Sequence, residues 1–291
     1  MELNKLAKFK TSVYYRTVLF RPNMEEFIEQ SMESLILNSE YIDNLFISYN
    51  DDIFKVDFSK LKGVFKNKAN LIFIKDDTPT NFRSFELGIK SFMNFFENMP
   101  DKPKLLTFLD GDDAFHPDGL KIRVENGNHG VQLSRLDTIQ YQSNKDGWVE
   151  TGRSRSNYRP TDRLSILYRN SAFTSGLTVT RRFVETVLLK ALNRLSGQTW
   201  DMLHEDWLTW ALGMVLELDS FVETPTGIYR SFGFARKEKY PEDAEVREGL
   251  CRLMTAKAIK SALVDLGRVD LVKKVHTALV DISYSGFKIN F

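Results

Sequence analysis

The sequence predicts an α/β fold in which helices flank a mixed, mainly parallel sheet. Short apolar runs alternate with segments whose apolar residues recur at helical spacing, which is the pattern of βαβ units. One run, Leu105–Leu109, is almost entirely apolar, as in a strand buried on both faces of a parallel sheet. It ends in Asp110-Gly111-Asp112-Asp113, and ligands of open α/β sheets bind at such strand ends.

The same patterns place the other elements in order. Strands are expected at 10–20, 42–49, 70–74 and 105–109, and helices at 24–37 and 82–99, with a short helix within 54–68. Further strands are expected at 130–136, 138–142, 164–168, 174–179, 216–222 and 227–229, and helices at 183–195 and 199–216. We therefore expect a main domain over residues 1–240.

A C-terminal helical extension is expected over residues 241–291. Pro241 is a natural boundary, and the stretches 244–266 and 269–280 are amphipathic. Three readings are open for these helices, namely a packed appendage, a homodimer contact or a membrane-surface element. Their mixed charges favour packing.

Composition limits the class of protein. The 40 basic and 39 acidic residues nearly cancel, so net charge does not indicate a nucleic-acid or membrane partner. The single cysteine, Cys251, permits no internal disulfide, which fits a reducing compartment. The sequence contains no signal-peptide pattern and no transmembrane segment of about 18 apolar residues. We expect a cytoplasmic protein, or one peripheral to the inner face of a membrane.

The acidic turn at 110–113 predicts a cation site. Carboxylates this close repel one another unless a cation or a loss of charge relieves them. Oxygen ligands on a tight glycine-containing turn suit Mg²⁺ or Mn²⁺, which commonly neutralise a diphosphate. The strand ends at Asn50-Asp51 and Asp76-Asp77 are expected on the same rim, which favours a nucleotide-type pocket. The alternative is a solvated acidic turn.

The glycine pattern excludes several nucleotide and calcium motifs. No glycine precedes Gly63, so the first strand carries neither a dinucleotide-binding loop nor a P-loop. The acidic turn is not an EF-hand, because Phe115 stands where glycine is required and Lys121 where glutamate is required. A haloacid-dehalogenase-like phosphatase is a rival reading, but Ala114 replaces the Thr or Val that ends its DxDx[TV] motif.

Two further charged features each have two possible interpretations. Glu205 and Asp206 begin an apolar helix, where carboxylates either serve chemistry or simply interact with the helix dipole. Arginines are dense between residues 153 and 182, and they suit either an anionic acceptor or scattered surface ion pairs. They are Arg153, Arg155, Arg159, Arg163, Arg169, Arg181 and Arg182.

Between Thr11 and Tyr229 the order of motifs resembles the family 2 glycosyltransferases, which are inverting enzymes of the GT-A fold. Phe108-Leu109-Asp110-Gly111-Asp112-Asp113 is similar to the family's DxD element, and His204-Glu205-Asp206-Trp207 is similar to its ED motif. Tyr229-Arg230 is similar to a late "YR". The first strand departs from the family, because it lacks the usual Pro-Thr-Tyr-Asn signature.

The resemblance implies transfer of a sugar from a nucleotide-sugar, most often a UDP-sugar, to an acceptor hydroxyl. It implies a Mn²⁺ or Mg²⁺ ion on Asp112, with Asp110 contacting the metal or the ribose and Gly111 in the same turn. Asp206 would be the catalytic base, with Glu205 supporting it or contacting the acceptor.

The donor's uracil is expected near Asp51, with Asn50 next, and Arg83 is expected near the nucleotide. The acceptor can be a saccharide, a lipid-linked group or another hydroxyl, and a nucleic acid is a weaker candidate. A sugar- or nucleotide-binding module without turnover is the non-enzymatic alternative.

Overall fold

The computed structural model describes residues 10–17, 24–52, 55–77, 81–97, 105–127, 130–144, 147–167, 170–195, 204–232 and 244–286. Its strands are β1 (Thr11–Arg16), β2 (Ile42–Tyr49), β3 (Asn70–Lys75), β4 (Leu105–Asp110), β5 (Ala114–Phe115), β6 (Val131–Ser134), β7 (Leu136–Asn144), β8 (Gly147–Ser156), β9 (Leu177–Thr180), β10 (Asp219–Val222) and β11 (Gly227–Phe232).

The helices are α1 (Glu25–Leu37), α2 (Ser59–Phe65), α3 (Asn81–Phe96), α4 (Gly119–Asn126), α5 (residues 181–195), α6 (Glu205–Val215), α7 (Ala244–Asp265) and α8 (Val269–Gly286). Helix α5 contains a π-helical turn at Val184–Leu188. Short 3₁₀ helices lie at Ser39–Tyr41, Arg163–Leu167 and Thr174–Gly176.

The strands form two sheets. The larger has the order β10-β6-β9-β4-β1-β2-β3, and the smaller has the order β5-β11-β7-β8. In the larger sheet β9 runs antiparallel to β4 and β6, and the other neighbours are parallel. The predicted mixed, mainly parallel sheet flanked by helices is therefore confirmed.

Alternate residues of the central strands pack into separate hydrophobic clusters on the two faces of the larger sheet. On one face Val13 and Tyr15 of β1 pack with apolar residues of α1 and α2. On the other face Tyr14 packs with apolar residues of α3, α5 and α6. This alternation explains why the central strands read as continuous apolar runs, since both of their faces are buried.

The expectation of a strand at 164–168 is wrong, because Arg163–Leu167 forms a 3₁₀ helix. This segment packs against α6 instead of joining a sheet: Trp207 Nε1 donates to the carbonyl of Ile166 at 2.5 Å. The predicted strand 174–179 begins only at Leu177, after a 3₁₀ turn. The strand predicted over 10–20 ends at Arg16. Strand β8 was not anticipated, because its largely exposed residues carry no clear apolar alternation.

The C-terminal helices pack against the main sheet's helical layer. Ala256, Ile259 and Leu263 of α7, with Val275 of α8, are buried in the same cluster as α6. These helices therefore pack against the main domain, as their mixed charges predicted. The predicted domain boundary at residue 240 lies outside the described residues. Among the described helices, none is long and apolar enough to span a bilayer.

Two glycines on different helices test the packing of α6 on the sheet. A Cβ at Gly213 would overlap Cγ1 of Val131 on β6, whereas a Cβ at the exposed Gly63 of α2 would contact nothing. We expect Gly213→Ala to lower the free energy of unfolding by about 1–3 kcal/mol through overpacking. Gly63→Ala should raise it by roughly 0.5–1 kcal/mol, because alanine favours the helix. Urea unfolding measures both, and equal effects would contradict this packing.

Candidate functional site

The carboxyl ends of β1, β2, β3 and β4 meet at one edge of the larger sheet, because these strands are parallel neighbours. We call this edge the polar rim. The register places Arg16 at the end of β1 opposite Asp110 on one side and Ser48 on the other. Asn50 Nδ2 donates to the carbonyl of Asp76 at 2.8 Å, which joins the ends of β2 and β3. The predicted sharing of one rim is confirmed.

Arg16, which sequence reasoning did not select, joins the two acidic motifs. Its Nε and Nη2 donate to the two carboxylate oxygens of Asp110 at 2.8 and 2.9 Å. Its Nη1 donates to Oε1 of Glu205 at 3.1 Å. We call these three residues the Arg16 triad. Arg16 is 6% exposed, and a charge so buried is stable only when it is paired, so the triad fixes the end of β4 against the start of α6.

The triad also sets the charge state of Arg16. Burial by itself disfavours the charged guanidinium, but the carboxylates of Asp110 and Glu205 outweigh burial, so the pKa of Arg16 is raised above its ordinary value. Arg16 is therefore a permanent positive charge within the acidic site. The backbone N–H of Gly111 donates to the carbonyl of Arg16 at 2.7 Å, which holds the acidic turn over β1.

Asp113 and Asp112 have different surroundings. Asp113 is 1% exposed, and its two oxygens accept hydrogen bonds from the backbone N–H of Arg230 at 2.8 Å and from Ser175 Oγ at 2.5 Å. Burial, followed by the charges of Asp112 and Asp110, raises the pKa of Asp113 well above its usual range. Asp113 therefore stabilises the conformation of the turn. Asp112 is only half-buried at the rim, and its carbonyl accepts from Arg230 Nη1 at 2.7 Å.

The donor set for a metal is small. Among the described residues, no group of three or more His, Cys, Asp or Glu side chains is placed to hold a metal ion. Both oxygens of Asp110 already accept from Arg16, so a metal there would share them with the guanidinium. The half-buried Asp112 is the better-placed carboxylate of the turn. Such a set fits a cation that takes its other oxygens from a bound diphosphate.

The two acids that begin α6 also differ. Glu205 is 6% exposed and accepts from Arg16 and from Thr174 Oγ1. Asp206 is half-buried, and its Oδ1 accepts from Asn170 Nδ2 at 3.2 Å and from the backbone N–H of Trp207 at 2.6 Å. Burial, followed by the charge of Glu205, raises the pKa of Asp206 to about 7. Such a carboxylate can accept a proton near neutral pH.

The segment 170–176 connects these acids to one another. Asn170 donates to Asp206, and Thr174 Oγ1 donates to Glu205 at 3.3 Å. Ser175 Oγ donates to Asp113 and accepts from the backbone N–H of Asp110 at 3.0 Å. One short loop therefore positions carboxylates from both acidic motifs, and sequence reasoning had assigned part of it to a strand.

The residues expected at the nucleotide lie further along the rim or beside it. Asn50 is buried, and its Oδ1 accepts from the backbone N–H of Asp52 at 3.0 Å. Asp51 is exposed beside it. Arg83 lies in the first turn of α3, after β3, and its Nη1 donates to Glu86 at 3.1 Å. Asn50 thus has a structural task, while Asp51 is accessible to a ligand.

The arginine-rich stretch is largely made of ion pairs. Arg153 pairs with Glu150, Arg155 with Asp137, and Arg181 with Glu185. Arg159 and Arg163 both pair with the buried carboxylate of Asp219 on β10. Arg169 lies outside the described residues. The hypothesis of scattered ion pairs therefore accounts for most of these arginines.

Two sequence signals could have found the missed residues. Arg16 ends the buried run Val13-Tyr14-Tyr15, and a charged residue at that point requires a partner on the neighbouring strand end. The segment 170–176 reads NSAFTSG, in which short hydrogen-bonding side chains recur before a strand. Neither signal names the partner.

Comparisons with known proteins give weak likenesses. No family model matches the chain, and no curated protein matches it. Among solved structures, S. aureus TarS 1–349 is 16% identical with a TM-score of 0.46, over 88% of this chain and 71% of that one. The same fragment in complex with UDP is 14% identical, with the same TM-score and coverage.

A second kind of structure also resembles the chain. A 4-diphosphocytidyl-2C-methyl-D-erythritol synthase is 12% identical with a TM-score of 0.40, over 75% of this chain and 89% of that one. These identities and TM-scores are too low to transfer a function.

Removal of the Arg16 guanidinium from the triad should cause a large loss of stability. Arg16→Met leaves two carboxylates without their buried partner, so we expect the free energy of unfolding to fall by about 3–5 kcal/mol. The matched control is Arg153→Met, which breaks the exposed Arg153–Glu150 pair and should change stability little, because solvent screens such a pair. Chemical denaturation measures both variants, and similar losses would contradict a special role for Arg16.

Proposed function

We propose that this chain is a glycosyltransferase of the GT-A type, similar to family 2, that moves a sugar from a UDP-sugar to an acceptor hydroxyl. The observation that supports it is the Arg16 triad, which joins the acidic end of β4 to the acidic start of α6. The reaction needs two such groups, one beside the diphosphate and one beside the acceptor. The catalytic domain would span residues 1–240, with 241–291 as its helical extension.

The donor would lie along the polar rim. Asp51 would contact the uracil, with Asn50 supporting that turn and Arg83 near the nucleotide. The turn at Asp110–Asp112, including Gly111, would face the ribose and diphosphate. Arg16 would keep Asp110 oriented, since a carboxylate held by two charge-assisted hydrogen bonds has a defined direction.

The proposed metal is Mn²⁺ or Mg²⁺, held chiefly by Asp112 with Asp110 as its neighbour. A divalent ion supplies positive charge that stabilises a diphosphate leaving group. The chain itself also supplies a positive charge beside this turn, in the buried guanidinium of Arg16. The half-buried position of Asp112 supports this choice, because a carboxylate must reach solvent to accept a cation that arrives with its nucleotide.

Asp206 is proposed as the catalytic base. It would take the proton of the acceptor hydroxyl while that oxygen forms a bond to the anomeric carbon of the donor sugar. The bond from this carbon to the diphosphate would break, and its electron pair would leave on the diphosphate oxygen. Attack opposite the leaving group inverts the anomeric centre. Glu205, paired with Arg16, would hold the start of α6 and support Asp206.

The haloacid-dehalogenase reading is disfavoured by the same geometry. In that mechanism the first aspartate after the strand attacks phosphorus as a nucleophile. Both oxygens of Asp110 instead accept from Arg16, at 2.8 and 2.9 Å. A carboxylate held in this way is a poorer nucleophile, because the guanidinium holds both oxygens and partly neutralises their charge.

Donor binding tests the proposal directly. In a thermal-shift panel of nucleotide-sugars, we expect UDP-sugars to raise Tm most when Mn²⁺ is present, because ligands stabilise the state that they bind. Asp112→Asn should remove most of the metal-dependent part of this shift. The control is Asp118→Asn, because Asp118 is exposed and makes no capping hydrogen bond.

Two results would count against transfer. If no nucleotide-sugar shifts Tm with or without Mn²⁺, the donor assignment is wrong. If UDP-sugars bind but are neither hydrolysed nor transferred, the chain is a binding module.

The raised pKa of Asp206 predicts the pH dependence of transfer. A base must be ionised, so kcat/KM should be highest above the pKa of about 7 and fall as pH decreases through it. Asp206→Asn should lower kcat about 10²–10⁴-fold, while donor affinity measured by calorimetry is retained. Full turnover in this variant would end the assignment.

A variant of Asn170 provides the matched control for the pH profile. The hydrogen bond from Asn170 favours the ionised form of Asp206 and lowers its pKa. Asn170→Ala should therefore move the acidic limb of kcat/KM to higher pH without abolishing turnover. A limb that stays in place in this variant would mean that a different group titrates.

A further inference from the structure

Two aromatic rings stack at the edge of the candidate site. The rings of Phe173 and Tyr229 have centroids 3.9 Å apart and planes 20° apart. Both side chains are half-buried, so the stack keeps part of its surface exposed. It joins the segment 170–176 to β11, and the proposed mechanism does not use it.

The residues that follow these two rings in sequence contact the two acidic motifs. Thr174, directly after Phe173, donates to Glu205. Arg230, directly after Tyr229, donates from its backbone N–H to Asp113 and from Nη1 to the carbonyl of Asp112. The two segments that carry the rings therefore each contact one of the acidic motifs.

The stack is also held rigidly. The backbone N–H of Phe173 donates to Oδ1 of Asn157 at 2.9 Å, and Nδ2 of Asn157 donates to the carbonyl of Ser134 at 2.7 Å. Asn157 is 4% exposed and adopts a left-handed φ of 62°, which asparagine tolerates better than most residues. A surface fixed in this way loses little conformational entropy when a ligand binds.

Among the residues that the structure describes, the arginines around the two acidic motifs already have acidic or polar partners. Arg16 is committed to Asp110 and Glu205, and the guanidinium of Arg230 donates to Gln30 and lies 5.2 Å from the ring centre of Phe27. The arginines of β8 pair with acids. An exposed aromatic surface suits a ring that presents C–H groups, because the face of an aromatic ring is negative.

We propose that the Phe173–Tyr229 stack is the acceptor platform and that the acceptor is a saccharide with a pyranose ring. The inference rests on the proposed function, because it takes Asp206 as the base. The apolar face of the pyranose packs on the aromatic surface, and this contact directs one of its hydroxyls toward Asp206. A phosphate-rich or acyclic acceptor gains nothing from such a platform.

The test separates acceptor binding from donor chemistry. Binding of methyl pyranosides and of glycerol is measured by saturation-transfer NMR, which requires no turnover. Transfer to p-nitrophenyl pyranosides is measured as a ratio to hydrolysis of the UDP-sugar in water. The variants are Tyr229→Leu and Phe173→Leu, with Tyr229→Phe as the ring-retaining variant. The control is Phe73→Leu, which removes an aromatic ring that is 37% exposed on β3.

We expect pyranosides to bind in preference to glycerol. Tyr229→Leu and Phe173→Leu should weaken pyranoside binding and lower the ratio of transfer to hydrolysis about tenfold, as expected for loss of one aromatic contact. Phe73→Leu should change both less than about twofold, since it keeps both rings of the platform. Tyr229→Phe should retain more pyranoside binding than Tyr229→Leu, since it keeps the ring.

Three results would overturn the platform. They are equal binding of glycerol and pyranosides, unchanged pyranoside binding in both leucine variants, and parallel loss of hydrolysis and transfer, which would make the stack a packing contact only. Failure of the proposed function looks different, because the wild-type protein would then neither bind nor hydrolyse any UDP-sugar.

Discussion

The burial of one guanidinium organises this molecule. Arg16 lies at the end of a central strand, where desolvation of a charge costs several kcal/mol unless partners compensate. Asp110 and Glu205 compensate it, and each of them belongs to a different acidic motif. Because the pairing has defined geometry, the end of β4 and the start of α6 cannot move independently. The Arg16 triad is therefore both a structural connection and a fixed charge.

A second constraint follows from the density of negative charge around that connection. Asp112, Asp113 and Asp206 add to the two acids of the triad, and their mutual repulsion must be relieved locally. Asp113 is relieved by hydrogen bonds from Ser175 and Arg230 and by a raised pKa. Asp206 also has a raised pKa. Raised pKa values of neighbouring carboxylates are typical of functional sites.

The segment 170–176 holds several of these carboxylates in place. Its side chains reach carboxylates of both motifs, while Asn157 anchors its backbone from the β8 side. The same segment carries Phe173 to its stack with Tyr229. One short loop thus carries part of the proposed binding surface and contacts the candidate catalytic carboxylates. A donor on the polar rim and an acceptor on the rings would meet between them.

The sequence by itself determined the layers of the fold and the ends of β2, β3 and β4, whereas it extended β1 to residue 20 although this strand ends at Arg16. Apolar runs fixed β1, β2, β3 and β4, and the acids that follow them were placed on one rim, because parallel strands share their carboxyl edge. It misjudged 164–168 and did not anticipate β8, where burial depends on distant partners. Only the tertiary structure decided which charges meet: Arg16 is 94 residues from Asp110 and 189 from Glu205. Periodicity reports local burial, and it carries no information about pairing over such separations.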